Sequence, residues 1–230
     1  MLPLPQHTLP RGPALDANLP LSRLDEVLRA ACAEASPESI HALRTIAAKL
    51  EARLRLAGRS ALRDDLRRLR RACSAVRDLD ACPPRELDAE ELHARRAERA
   101  RDLVRDLEAR DLDALRAALS CVPCADLGAS LARLADWERE FREHGRSAWR
   151  REDADLLHAL RRRARRIRHA REWLGLDASA HALLHSTLGR WRDLQMAGGA
   201  DEAELEEAKR AAKAAWRTAA RRARGKEAAP

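Results

Sequence analysis

Tyrosine is missing from this chain and phenylalanine occurs once. Single-stranded nucleic acids are held largely on exposed aromatic rings, so a binder of that kind has little to build with here. Amides are nearly as scarce. Asn18, Gln6 and Gln195 are the complete set, which leaves few side chains for reading adenine edges. Glycine and proline number only 9 and 10, and Pro3, Pro5, Pro10, Pro13 and Pro20 crowd the first twenty residues. No run approaches the roughly eighteen apolar residues of a membrane span, and the N-terminus lacks the basic-then-apolar pattern of a secretion signal. The cysteines are odd in number: Cys32, Cys73, Cys82, Cys121 and Cys124. A disulfide framework does not follow from such a set, and a reducing, cytoplasmic setting is expected.

What the chain does contain is alanine, leucine, arginine and glutamate, all good helix formers. Hydrophobic residues make up 45% of the 230 positions and charged residues 36%, with a formal net charge of +8. Only Lys49, Lys209, Lys213 and Lys226 are lysines; the rest of the basic side chains are arginine. Guanidinium offers a planar fork that fits phosphate oxygens. Genomic base composition can produce the same bulk excess, so placement has to decide.

Helical periodicity runs from about residue 22 almost to the C-terminus, and the pattern predicts an all-α protein. Helices are expected near 22–35, 38–57, 60–80, 88–120, 125–145, 151–175, 179–196 and 201–222. The breaks are marked by Ser36-Pro37, Gly58, Pro83-Pro84, Pro123, Gly145, Gly175 and Gly198-Gly199. Residues 1–20 and 219–230 read as disordered ends. The region between repeats itself: His41-Ala-Leu-Arg44 returns as His158-Ala-Leu-Arg161, and Val76-Arg77-Asp78-Leu79 returns loosely as Trp191-Arg192-Asp193-Leu194. Two motifs in the same order at nearly the same separation predict two four-helix bundles, about 21–120 and 121–218, related by a pseudo-twofold.

The stretch 156–174 is the most basic. Leu156, Leu160, Ala164, Ile167 and Leu174 share one helical face. His158, Arg161, Arg162, Arg165 and His169 lie opposite, flanked by Arg166 and Arg168. No acid occurs from His158 to Arg171. Like charges at this spacing repel, so a face kept this way is expected to meet an anion. A purely solvated face is the bland alternative, but it normally interleaves acids, as residues 98–113 do. The counterpart at 41–56 buries Leu43, Ile46, Ala47, Leu50 and Leu54. It presents His41, Arg44 and Lys49, with Ala48 and Glu51 where the second copy has Arg165 and Arg168. The next helix adds Arg63, Arg67, Arg70 and Arg77 on one face.

Together these motifs resemble the conserved-histidine α-helical (CHAD) family. The second copy carries His158, Arg161, Arg162, Arg165, Arg166 and Arg168, then Leu188-Gly189-x-x-Arg192-Asp193. The first copy carries His41, Arg44, Lys49, Arg67, Arg71 and Arg77-Asp78, but has Cys73-Ser74 where Leu-Gly is typical. The resemblance spans about 21–218. It implies polyphosphate held on the basic surface where two bundles meet, and possible recruitment to polyphosphate granules.

The binding residues expected on this basis are His41, Arg44, Lys49, Arg67, Arg71, Arg77, His158, Arg161, Arg162, Arg165, Arg166 and His169. His41 and His158 could instead buttress a neighbouring helix. A nonspecific nucleic-acid binder is the alternative function, since phosphate contacts alone suffice for it. No phosphate loop, nucleophile elbow or acidic metal cluster is apparent, so neither an enzyme nor a cofactor is expected. Cys121-Val-Pro-Cys124 is a lone CxxC, a weak zinc or redox signal without a second pair or a βαβ setting. The five tryptophans are expected in the core or at interfaces rather than in stacking platforms.

Overall fold

The computed structural model describes residues 19–58, 63–81, 88–109, 113, 117, 119, 126–197 and 201–224. Among them are eight α-helices and no strand. These are α1 (Leu19–Ala33), α2 (Pro37–Leu56), α3 (Arg63–Ala81), α4 (Ala89–Glu108), α5 (Leu127–Arg151), α6 (Ala154–Trp173), α7 (Ser179–Ala197) and α8 (Glu202–Arg222). Of the expected disordered ends 1–20 and 219–230, residues 1–18 and 225–230 lie outside the described residues, as do the Pro83-Pro84 and Gly198-Gly199 breaks and the Cys121–Cys124 pair, whereas residues 19–20 open α1 and residues 219–222 close α8, with Ala219 and Ala220 buried.

Most helix starts are set by a short polar side chain that takes up an orphan backbone N–H. Ser36 accepts from Ser39 N at 3.2 Å, and Asp153 accepts from Leu156 N at 2.9 Å. Asp126 and Asp201 play the same part for α5 and α8. Asp88 and Glu91 form a reciprocal capping box at α4, which fixes the N-terminus by pairing two donors at once.

The buried residues fall into two clusters. One joins α1 to α4 through Leu24, Ile40, Leu43, Leu50, Leu66, Leu69, Val76, Leu103 and Leu107. The other joins α5 to α8 through Leu134, Phe141, Trp149, Leu160, Ile167, Leu184, Leu188 and Trp191, and includes Leu56 at the end of α2. Within each cluster the neighbours follow one order: first helix on second, second on third, third on fourth, and fourth back on first. Buried Ala208, Ala212, Ala215 and Ala219 give α8 a small-residue stripe, so its backbone can lie close to α7, its main neighbour.

The two clusters are held together by α2, which packs on α6 and touches α5. The last carbonyl of α2 is claimed from across the joint, where Arg133 Nη1 donates to Leu56 O at 2.6 Å. Orphan carbonyls at a helix end need such a donor. Within the second cluster, buried Arg171 pairs with Glu138 at 2.7 Å and donates from Nε to Asp177 O at 2.6 Å.

The first-half stripe Leu43, Ile46, Ala47, Leu50 and Leu54 is buried throughout. Three expectations fail. Gly145 does not end a helix, because α5 runs through it to Arg151; Trp216 of α8 packs where a β-carbon would stand. The turn falls later, at Glu152, whose φ of 51° is left-handed. Leu157 rather than Leu156 is the buried leucine of α6, and Leu174 caps that helix, half-buried. Helix α4 also ends at Glu108, short of the expected 120.

Since the Trp216 ring is rigid, Gly145→Ala is expected to cost about 1–3 kcal/mol, the usual cost of overpacking. Chemical denaturation of the two proteins checks this.

Candidate functional site

Along the joint, α2, α3 and α6 enclose a groove of about 510 Å³. Eight arginines line it: Arg55 from α2, Arg67, Arg70 and Arg71 from α3, and Arg162, Arg163, Arg165 and Arg166 from α6. Among the described residues only two carboxylates, Glu51 and Asp64, line it with them. The repeat of basic positions every three or four residues places α6's arginines in a row along one side.

Six of these arginines are partly withdrawn from water, while Arg71 and Arg162 are exposed. Burial lowers the Arg165 pKa to about 10, and the nearby cations Arg70, Arg44 and Arg161 push the same way. Arg166 is also lowered to about 10, again by burial first and then by Arg55 and Arg163. Its ring-facing side lies over Trp137, 4.7 Å from the centroid, a favourable cation–π placement. The Nε atoms of Arg44, Arg63 and Arg166 are buried without a hydrogen-bond partner. Orphaned donors of this kind are costly, and so are crowded like charges.

The positive field extends beyond the groove. Arg44 of α2 is lowered by burial, then by Arg77 and Arg70 of α3. Arg161 of α6 is lowered by burial and by Arg192 and Arg77, against the opposing pull of Asp193. Arg44 and Arg161 therefore both meet Arg77, across the two halves. His185 reports the same field: burial first, then Arg161, Arg165 and Arg168, holds its pKa down to about 4. Beyond Arg161, a second hollow of about 280 Å³ is lined by His158, Arg161, Arg192 and Trp191.

Gly189 is what lets Arg161 reach this place. A β-carbon there would lie 2.7 Å from Arg161 Nη2. The guanidinium thus crosses directly over the α7 backbone, and its Nε donates to His185 O at 3.3 Å. This gives the Leu188-Gly189 motif a packing reason.

The twelve expected residues separate into three groups. Arg67, Arg71, Arg162, Arg165, Arg166 and His169 line the groove. Arg44, Arg77, Arg161 and His158 continue the basic track towards the second hollow. His41 and Lys49 are exposed and line neither hollow. Lys49 Nζ lies 3.8 Å from Glu172.

His169 departs from its expected exposed face. It is 4% exposed, with Nδ1 3.2 Å from Glu172 Oε2. Burial lowers its pKa, partly offset by Glu172. The cause is that α6 packs against α2, α5 and α7, which buries a wider arc than one stripe.

Glu51 also changes meaning. Standing where the second copy has Arg168, it is a buried carboxylate, bonded by Arg70 and by Arg67 Nε at 3.3 Å. Arg55, Arg70 and Arg163 were not among the expected residues. The shared face of Arg63, Arg67, Arg70 and Arg77 was the signal available for Arg70. Arg55 and Arg163 reach the groove through tertiary packing, which spacing on a single helix does not reveal. Among the described residues no cluster of three His, Cys, Asp or Glu side chains is placed to hold a metal, and no helix is long and apolar enough to cross a membrane.

No family model matches the chain, and neither a curated protein nor a solved structure matches it.

His158 Nδ1 lies 3.0 Å from Arg192 Nη1. Burial, followed by Arg192 and then Arg162, Arg161 and Arg165, lowers its pKa. Arg192→Gln is therefore expected to raise the His158 pKa without fully restoring it, because burial remains. An NMR titration of the imidazole reads this directly. An unchanged value would show that Arg192 does not act on the ring.

Proposed function

We propose that this chain binds inorganic polyphosphate along the arginine groove between its two helical halves, as a CHAD-type module rather than an enzyme. One observation carries the reading: eight arginines face two carboxylates in one groove, and the Nε of Arg166 is buried there without a hydrogen-bond partner. A polyanion would supply the missing acceptors along a line, and charge-assisted contacts of this kind are the strong ones. The matching order of helix neighbours in the two clusters supports a duplicated four-helix unit with a pseudo-twofold between its copies.

A thin, flexible phosphate chain suits this groove better than a nucleic acid does. Six of the eight arginines are half-buried between helices, with Arg71 and Arg162 exposed at the rim, whereas a duplex is met across broad exposed surfaces. Single strands call for free aromatic faces. Here Trp149 and Trp191 stack on each other at 6.0 Å in the core, and Trp137 and Trp173 carry arginines. Residence on polyphosphate granules would follow from the binding itself.

The direct test is competition at fixed salt between long-chain polyphosphate, duplex DNA and RNA for the intact chain. Polyphosphate is expected to displace both. Equal displacement by DNA or RNA at matched phosphate concentration would favour the nonspecific nucleic-acid reading.

The halves contribute unequally. Arg161 and Arg165 lie on the basic track, whereas Lys49 lies outside it. Arg161→Ala with Arg165→Ala is expected to weaken polyphosphate binding about a hundredfold, the scale of two lost charged hydrogen bonds. Arg44→Ala with Lys49→Ala is expected to cost about tenfold, with circular dichroism confirming that both variants stay helical. Equal losses would contradict the asymmetry.

Binding should also take up a proton. The His158 pKa is lowered in the free protein, and a neighbouring polyanion raises it. Between those two pKa values the bound state holds more protons, so affinity rises as pH falls through that window. Titrations from about pH 8 to about pH 6 at constant ionic strength, with and without His158→Gln, check this. An identical pH dependence in the variant would make His158 a structural group.

A further inference from the structure

Glu51 occupies the floor of the arginine groove, only 6% exposed. Three guanidiniums close on its carboxylate. Arg67 Nε donates to Oε1 at 3.3 Å, Arg70 Nη1 donates to Oε2, and Arg55 Nη1 lies 3.9 Å from Oε1. Its charge also reaches Arg165 and Arg166, where it opposes the lowering of their pKa values. The other groove carboxylate differs: the Asp64 side chain is 64% exposed and lies 3.6 Å from Arg67.

A phosphate group entering the groove needs the same N–H donors that Glu51 already occupies. Neither a carboxylate nor an internal phosphate of the chain carries a proton to share, so their approach is repulsive. At the equivalent place in the second copy the sequence has Arg168, not an acid. The first half therefore carries an anion of its own where its duplicate carries a cation.

We infer that Glu51 is a built-in counter-anion that limits how tightly the groove holds a polyanion, and that removing its charge opens one further phosphate subsite on Arg55, Arg67 and Arg70. The inference rests on the polyanion reading of the groove. Glu51 keeps three arginines compensated in the empty protein, and it rejects weakly charged small anions, which cannot outcompete it. A long chain binds regardless because it gains contacts elsewhere on the track. Selectivity of this kind comes from a repulsive element as much as from attraction.

Glu51→Gln removes the charge and keeps the shape and one acceptor oxygen. Long-chain polyphosphate is titrated into the full-length wild type and variant at several salt concentrations, with helicity checked by circular dichroism. Binding is expected to tighten about tenfold, the scale of one added charged hydrogen bond. The log–log salt slope should steepen by about one, since one more phosphate is neutralised. Unchanged or weaker binding by folded Glu51→Gln overturns the inference, because Glu51 then organises the arginines for the ligand.

Asp136→Asn, at an exposed carboxylate of α5 that does not line the groove, controls for overall charge and should shift affinity by less than about threefold, as screened exposed charges do. Equal tightening by Asp136→Asn also overturns the inference. Should Glu51→Gln fail to fold, the comparison moves to the Arg70→Gln background, where the closest cationic partner of Glu51 is removed with it. There Glu51→Gln with Arg70→Gln is expected to bind more tightly than Arg70→Gln alone, and no gain overturns the inference. A wild type that binds no polyphosphate overturns the functional reading and this inference with it. A wild type that binds, with variants that do not tighten, overturns this inference alone.

Discussion

Guanidinium groups from α2, α3 and α6 are crowded into the joint between two hydrophobic clusters, and too few carboxylates share that joint with them. This crowding is the condition to which the surrounding structure answers. Arg44, Arg70, Arg77, Arg161 and Arg165 each lie within the field of others in the set. Like charges in a half-buried setting repel more strongly than at an open surface, since less water screens them. The groove persists because the hydrophobic packing on either side is strong enough to hold it.

The supporting features follow from that condition. Leu160, Ala164 and Ile167 anchor α6 in the second cluster, and Leu43, Ile46 and Leu50 anchor α2 in the first. The faces left over look towards each other. Gly189 makes room for Arg161, the Trp137 face receives Arg166, and Glu51 compensates Arg55, Arg67 and Arg70. Each device lowers the cost of assembling positive charge without cancelling it. Strain kept at a site and compensated elsewhere is the pattern expected where binding, rather than stability, has shaped a region.

Much of the fold was legible from periodicity, because a 3.6-residue pattern with Ser and Asp caps carries its own boundaries. The α2 stripe matches because its five residues all enter the first cluster, although Ala48, Glu51, Ala52 and Leu56 are buried beyond it. For α6 the reading slipped by one residue at Leu157 and misplaced His169, because three neighbouring helices bury it on a wide arc. Gly145 was misread as a break because local propensity favours one there, while tertiary contact with Trp216 decides the matter. At the site, residue identity showed which helices are basic, yet it did not show that α2, α3 and α6 share one groove. In the sequence Glu51 is only an acid standing where the second copy has Arg168. Its role as a buried counter-charge depends on α3 folding back over α2, a contact that spacing along α2 does not contain.

The central claim is that the groove is assembled against electrostatic repulsion for the sake of a polyanion. Arg165→Met tests it most directly, since methionine keeps an apolar stem for packing and removes only the charge. Thermal unfolding of wild type and variant would be measured with and without long-chain polyphosphate. Without polyphosphate, the variant is expected to melt a few degrees higher, because a half-buried cation beside Arg44, Arg70 and Arg161 has been removed. With polyphosphate, the wild type should gain more stability than the variant, as ligand linkage requires when a binding contact is lost. A variant that melts lower when empty yet gains as much from polyphosphate would contradict the account.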